Sequence, residues 1–195
     1  MVARAGGRAT AAVEYAERGA ATAPAGLVRA QLHAWALLPS LAAVGRADDA
    51  EHALTTALNE LDSADGEAPG RFGFDAPELA LHQAEAYLVL GRAADARARA
   101  EASLSGCVSG TPGWAAASLV LAQGEVPDAP QDAAQRAHDV LERVPPARLR
   151  STARARLAKL TGALAERGGP AADGLAERLR ALPPPIDAHG QALTG

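Results

Sequence analysis

Apolar and small residues recur along the chain at offsets of 0, 4, 7 and 8. After Ala50 come Leu54, Ala57 and Leu58; after Ala96 come Ala100, Ser103 and Leu104; after Ala12 come Ala16, Gly19 and Ala20; after Ala133 come Ala137, Val140 and Leu141. Those offsets trace one stripe of an α-helix. Three of the four stripes start at the end of a recurring hexapeptide: Gly7-Arg8-Ala9-Thr10-Ala11-Ala12, Gly45-Arg46-Ala47-Asp48-Asp49-Ala50 and Gly91-Arg92-Ala93-Ala94-Asp95-Ala96. The fourth keeps the stripe and has lost the glycine. A second helical stripe precedes the later glycines: Ala34, Leu37, Leu38 and Leu41 before Gly45; Ala80, Ala84, Tyr87 and Val89/Leu90 before Gly91; Ala116/Ala117, Val120 and Leu121 before Gly124. The repeating unit is therefore helix, glycine turn, helix. Glycine suits the left-handed residue that ends the first helix. Asp48, Asp49 or Asp95 is placed to cap the second. Helices joined so tightly run antiparallel, and such pairs bury their stripes only by stacking on one another.

The pattern predicts helices at about 8–21, 26–44, 48–62, 76–90, 93–105, 113–123, 130–143, 147–167 and 171–182. Pro39 falls inside one of them and predicts a kink. Helix 147–167 carries the stripe Leu149, Ala153, Leu157, Leu160 and Leu164, so residues 147–182 read as C-terminal capping helices. Residues 1–182 read as one helical repeat domain, with 183–195 a flexible tail opening on Pro183-Pro184-Pro185. The first unit starts at its turn, without the leading helix, which implies either another packing partner at that end or descent from a longer protein.

Composition narrows the class further. Of 195 residues, 51 are Ala and one is Ile, and aromatics make up 3%. Strands favour β-branched and aromatic side chains, so the chain reads as all-α, its helices approaching through small residues. Arg outnumbers Lys 18 to 1, a skew that points to a GC-rich coding sequence and weakens any single Arg as a functional signal. Cys107 is the single cysteine of the sequence, which excludes a disulfide scaffold. No apolar run approaches the ~20 residues of a membrane span, and residues 1–7 lack the apolar stretch of a signal peptide. These readings predict a cytoplasmic protein with no membrane association. A net charge of −4 gives no overall drive towards nucleic acid.

The alternation of helix pairs resembles the tetratricopeptide repeat. That family has apolar residues before a Leu-Gly turn, Ala five residues after the Gly (here Ala12, Ala50 and Ala96), and a closing Pro (here Pro24 and Pro145). The resemblance spans roughly residues 7–145, with a non-uniform period and long linkers at 63–75 and 105–112. It implies a right-handed tetratricopeptide-like α-solenoid whose first helices line a concave groove. With the turn glycine at repeat position 15, the groove positions of the central unit are Glu78, Leu81, His82, Glu85, Leu88 and Val89. Trp35, Leu81 and Trp114 share position 5 of three successive units. Glu78, His82 and Glu85 fall on one side of the helix. The groove then has an acidic floor and aromatic edges, suited to a peptide or protein segment bearing Arg or Lys. The competing reading makes both Trp residues core, since a shift of one residue places them at the family's usual core position, and leaves the Glu residues solvated.

Other constellations point less far. Glu78-His82-Glu85 has metal-ligand types, but no second motif completes a coordination sphere, so no metal or cofactor is expected. His138 and Glu142 read as a helix-surface pair. Cys107, in Ser105-Gly106-Cys107-Val108-Ser109-Gly110, has no base marked to activate it among His33, His52 and His138, and the chain reads as not an enzyme. Arg143, Arg148, Arg150, Arg154, Arg156 and Lys159 form a basic stretch. On a wheel Arg150 and Arg154 flank one side of the Leu stripe while Arg148, Arg156 and Lys159 flank the other, as on a solvated amphipathic helix; a phosphate-binding patch is the alternative.

The blocks Arg71-Phe72-Gly73-Phe74-Asp75, Glu78 to His82 and Ala86 to Gly91 are similar to the repeat region of actinobacterial helix-turn-helix transcriptional regulators of the xenobiotic-response-element (XRE) type. No segment here reads as a helix-turn-helix with a recognition helix. What the resemblance implies is the repeat region's role: binding a peptide or protein partner, or pairing with a second copy, with DNA reached only indirectly. The alternative is a regulator that contacts DNA itself through residues 143–159, or jointly with another chain.

Overall fold

The computed structural model describes residues 8–64, 74–167 and 170–183; Gly7, most of the linker at 63–75 and the tail from Pro184 lie outside them. The described residues are helical, with no strand. In chain order the helices are α1 (Ala9–Thr22), α2 (Leu27–Leu32), α3 (Leu38–Ala43), α4 (Ala47–Asp62), α5 (Ala76–Val89), α6 (Ala93–Ser105), α7 (Pro112–Glu125), α8 (Pro130–Arg143), α9 (Ser151–Arg167) and α10 (Pro170–Arg180). No helix among the described residues is long and apolar enough to cross a membrane. The chain divides into two compact units, Met1–Ser103 and Leu104–Gly195.

In the first unit the hexapeptide turns form as their glycines require. Gly45 and Gly91 have φ of 74° and 75°. At the first, Gly45 N–H donates to Ala42 O and Arg46 N–H to Leu41 O; at the second, Gly91 N–H donates to Leu88 O and Arg92 N–H to Tyr87 O. Both are Schellman closures, which satisfy the last carbonyls of the first helix. The aspartates do not cap as the sequence suggested. Arg46 occupies the cap position of α4 without a side-chain cap bond; Asp49 instead accepts from Arg46 Nε at 2.6 Å, and Asp95 from Arg92 Nε at 2.7 Å.

Pro39 leaves its mark one turn upstream. Between α2 and α3 the chain makes a π-helical turn, His33–Leu37, closed by Leu38 N–H on His33 O. Proline has no N–H, and its ring crowds the carbonyl four residues back; a widened turn relieves both. The α2–α3 segment packs along α4. Arg29, near its start, pairs with Glu60, near the end of α4, at 3.1 Å, so the two run antiparallel. Ala16, Ala34, Leu38, Leu41, Ala53, Leu54, Ala57 and Leu79 belong to the core.

In the second unit α7 packs on α8 and α9, while α10 packs on α8 and α9. Thr111 caps α7, its hydroxyl accepting from Trp114 N–H. Every residue from Ala115 to Ala122 is buried, the mark of a central helix. Gly124, read from sequence as a turn glycine, is a buried residue inside α7; the helix ends at Glu125. The predicted helix 147–167 is also corrected. After Pro145 come a 3₁₀ turn, Pro146–Arg148, and an extended, buried Leu149, and α9 starts only at Ser151. Pro146 instead opens the 3₁₀ turn, which ends on the extended Leu149 before the helix begins.

Candidate functional site

Four of the six residues singled out from sequence meet in the first unit. Asp75 caps α5, its carboxylate accepting from Glu78 N–H at 2.9 Å, with Pro77 in the first turn. That fixes where α5 begins and hence the phase of Glu78, His82 and Glu85. His82 Nε2 lies 3.4 Å from Glu78 Oε1, and His82 Nδ1 lies 3.6 Å from Glu85 Oε2. The imidazole is 19% exposed, and the carboxylates 39% and 31%. Behind them stands Trp35, carried by the π turn. Its ring meets Phe74 edge-on at 5.5 Å and His82 at 6.2 Å. The indole is half-buried against the core, and its Nε1 is buried without a hydrogen-bond partner. An imidazole bracketed by two half-exposed carboxylates and backed by an indole is suited to a cationic donor.

The other two residues do not join this face. Leu81 is 5% exposed and offers no surface to a ligand. α5 buries Leu79, Leu81, Ala84, Ala86 and Tyr87, so it is covered on several sides and a wheel does not separate groove from core. Trp114 belongs to the second unit, half-buried against that core, with the Arg143 guanidinium carbon 5.9 Å from its ring centre.

The first unit contains polar networks that the sequence reading missed. Arg46 reaches Glu17 of α1, and Arg92 reaches Glu51 of α4, each while holding the aspartate three residues on. Tyr87 OH accepts from Gln83 Nε2 and donates to Glu51, and Arg92 stacks 4.2 Å from the Tyr87 ring centre. Burial raises the Tyr87 pKa. The signal was present as Gly-Arg-Ala-x-Asp-Ala in both turns. At the other end of the same hairpin Glu60 accepts from Gly26 N–H and from Arg29. The Gly26 N–H, followed by Arg29, holds its carboxyl below the ordinary 4.5. Burial lowers the pKa of His33, whose Nδ1 is buried and unpartnered.

In the second unit, Arg178 joins His138 and Glu142: its Nη1 lies 3.1 Å from His138 Nδ1 and 3.5 Å from Glu142 Oε1. Cys107 is half-buried. A cavity of about 80 Å³ opens where α7 and α9 begin, lined among others by Gly113, Leu149, Thr152 and the three arginines Arg148, Arg150 and Arg156. The split that a helical wheel gives these arginines fails, because Arg148 and Arg150 precede the helix.

Among the described residues no group of three or more His, Cys, Asp or Glu is arranged to hold a metal ion. No family model, no curated protein and no solved structure matches the chain.

Proposed function

We propose that the chain is a non-enzymatic interaction module, in which helix pairs stack as a right-handed tetratricopeptide-like solenoid and one face of the first unit takes a basic peptide or protein segment. The observation that supports this most is the bracket Glu78–His82–Glu85 against Trp35. A partner Arg or Lys placed there gains charge-assisted hydrogen bonds from two carboxylates and a π face behind them. The carboxylates are already partly withdrawn from water, so the pairing is screened less than at an open surface. Leu81 plays no part in this contact. Trp114 serves the second unit's core. In this reading the module is the partner-sensing or self-pairing region of an XRE-type transcriptional regulator, working in the cytoplasm and reaching DNA only through another domain or chain.

An array of short peptides tests the binding face. Arrays probed with the wild-type chain should retain sequences enriched in Arg and Lys. The best of them should bind the Glu78→Gln/Glu85→Gln variant about tenfold more weakly, in line with one or two lost charge-assisted bonds, while the Asp132→Asn variant of the second unit binds unchanged. Retained peptides without basic enrichment, or equal affinity for the double variant, would overturn the proposal.

A further inference from the structure

The cavity of the second unit lies outside the proposed peptide face and has its own chemistry. Arg148, Arg150 and Arg156 line it, and no carboxylate does. Local structure explains why they line one cavity. The 3₁₀ turn Pro146–Arg148 and the buried Leu149 place Arg148 and Arg150 on either side of an anchored residue. Arg156 follows from the second turn of α9.

We propose that this cavity binds a small phosphate-type oxyanion, held by the guanidinium groups of Arg148 and Arg150 at the start of α9, with Arg156 adding positive charge to the lining. Arginine matches such groups in charge and in geometry, giving two parallel N–H donors to two oxygens. Arg148 and Arg150 are exposed and make no side-chain hydrogen bond or ion pair among the described residues. Other arginines of the stretch are engaged: Arg154 donates to Leu149 O and Pro146 O, Arg143 stacks on Trp114, and Arg156 is also engaged. The helix end adds to the field. Arg150 O accepts the first α9 bond, from Arg154 N–H, but an arginine side chain has no acceptor with which to cap the N–H groups that follow. Thr152 and Ala153, whose N–H groups lie in that first turn, line the cavity, where an anion is favoured.

Size selects within the class. A water needs roughly 10–15 Å³ of such volume, so about 80 Å³ takes a tetrahedral oxyanion and the first atoms attached to it, and does not enclose a ring system. A nucleic-acid backbone would instead need cations in a row, and Arg143 and Arg154 are turned to other uses. Free inorganic phosphate and a small phosphomonoester share the recognised group.

Calorimetry and arginine Nε–Hε NMR on the full chain, titrated with inorganic phosphate at fixed ionic strength, test the site. Saturable one-to-one binding is expected, with the Arg148 and Arg150 resonances moving most. Arg148→Gln/Arg150→Gln should lose about tenfold or more in affinity with an unchanged helical spectrum, whereas Lys159→Gln, exposed on α9 and away from the cavity lining, should change it less than about twofold. A simple phosphomonoester that binds more tightly than phosphate identifies the ester as the ligand, and equal or weaker binding identifies the free anion; both uphold the site. Absence of saturation, or wild-type affinity in the double variant, overturns it. So does a DNA duplex that binds these arginines and is not displaced by phosphate. None of these results depends on the peptide face, which lies in the other unit.

Discussion

Each of the two units contains an antiparallel hairpin defined at both its turn and its open end, α3–α4 in the first and α7–α8 in the second, and the two secure those ends by different chemistry. In the first unit, α3 turns into α4 through Gly45 in the left-handed region, and the open end is tied by Glu60 to Gly26 N–H and Arg29. In the second, α7 turns into α8 through residues 126–129 without a positive-φ glycine, and Arg136 spans the turn with two hydrogen bonds to Glu125, at 2.7 and 3.0 Å. Its open end is stacked, Arg143 over Trp114. A backbone solution at one turn is replaced by a side-chain solution at the other. The first hairpin therefore depends on a glycine at its turn and a titratable carboxylate at its open end, whereas the second has its carboxylate, Glu125, at the turn and a cation–ring contact at its open end.

The largest expected effect breaks that glycine dependence. A Cβ added at Gly45 or at Gly162 of α9 meets nothing within 4 Å, so crowding plays no part at either. Gly45 has φ 74°, where an L side chain costs about 1–2 kcal/mol. Gly162 is helical, and alanine in a helix interior is favoured by about 0.5–1 kcal/mol. Gly45→Ala should lower the urea midpoint and Gly162→Ala should raise it, with unchanged slopes. A neutral Gly45→Ala would show that the Schellman bonds, and not the φ requirement, set that turn.

The same contrast explains what could be read from sequence. The helices were legible because their stripes and two of their stops, Gly45 and Gly91, are local signals. Gly124 misled because a glycine says nothing of its own φ, and inside the fully covered α7 a helix accepts it for packing. Arg148 and Arg150 misled for a related reason: the wheel assumed a helix where the chain first makes a 3₁₀ turn and an extended residue. The bracket around His82 was legible, since positions three and four apart on a helix are neighbours wherever the helix lies. Its indole backing was not, because Trp35 is brought there by a π turn. The burial of Leu81 was not either, because α5 is apolar on more than one face.

A smaller effect sharpens the comparison at buried hydroxyls. Ser40 of the first unit donates to Ala36 O at 2.6 Å. Ser118 of the second is 1% exposed, and its hydroxyl has no partner. A buried unpaired polar group costs about 1–3 kcal/mol, and alanine also suits a helix better. Ser118→Ala should stabilise by about 1 kcal/mol, while Ser40→Ala, which removes only a satisfied intrahelical bond, should change stability by about 0.5 kcal/mol or less. Destabilisation by Ser118→Ala would mean that the hydroxyl packs or bonds in a way the apolar methyl cannot replace.

The smallest effect concerns acid, and here the open ends should diverge. His33 in the folded first unit has a pKa below its ordinary 6.5, through burial, with Arg29 and His52 adding to the fall and Glu60 opposing it. Between the lowered value and 6.5 the unfolded chain binds more protons than the folded one, so stability falls as pH drops through that range and is complete above it. Glu60 acts in the same direction at lower pH. Its folded pKa lies below 4.5, so the stability it confers is present above 4.5 and is lost as pH falls through the folded value. The Arg143–Trp114 contact contains neither a carboxylate nor an imidazole. One tryptophan per unit makes this measurable: Trp114→Phe leaves Trp35 to report the first unit, and Trp35→Phe leaves Trp114 to report the second. Urea midpoints taken from pH 7.5 down to 4 should fall more steeply at the Trp35 probe, and His33→Gln should flatten the limb near pH 6. If the Trp114 probe falls as steeply and His33→Gln changes neither limb, the acid sensitivity belongs to groups shared by the whole chain, and the distinction between a titratable and a stacked hairpin end is lost.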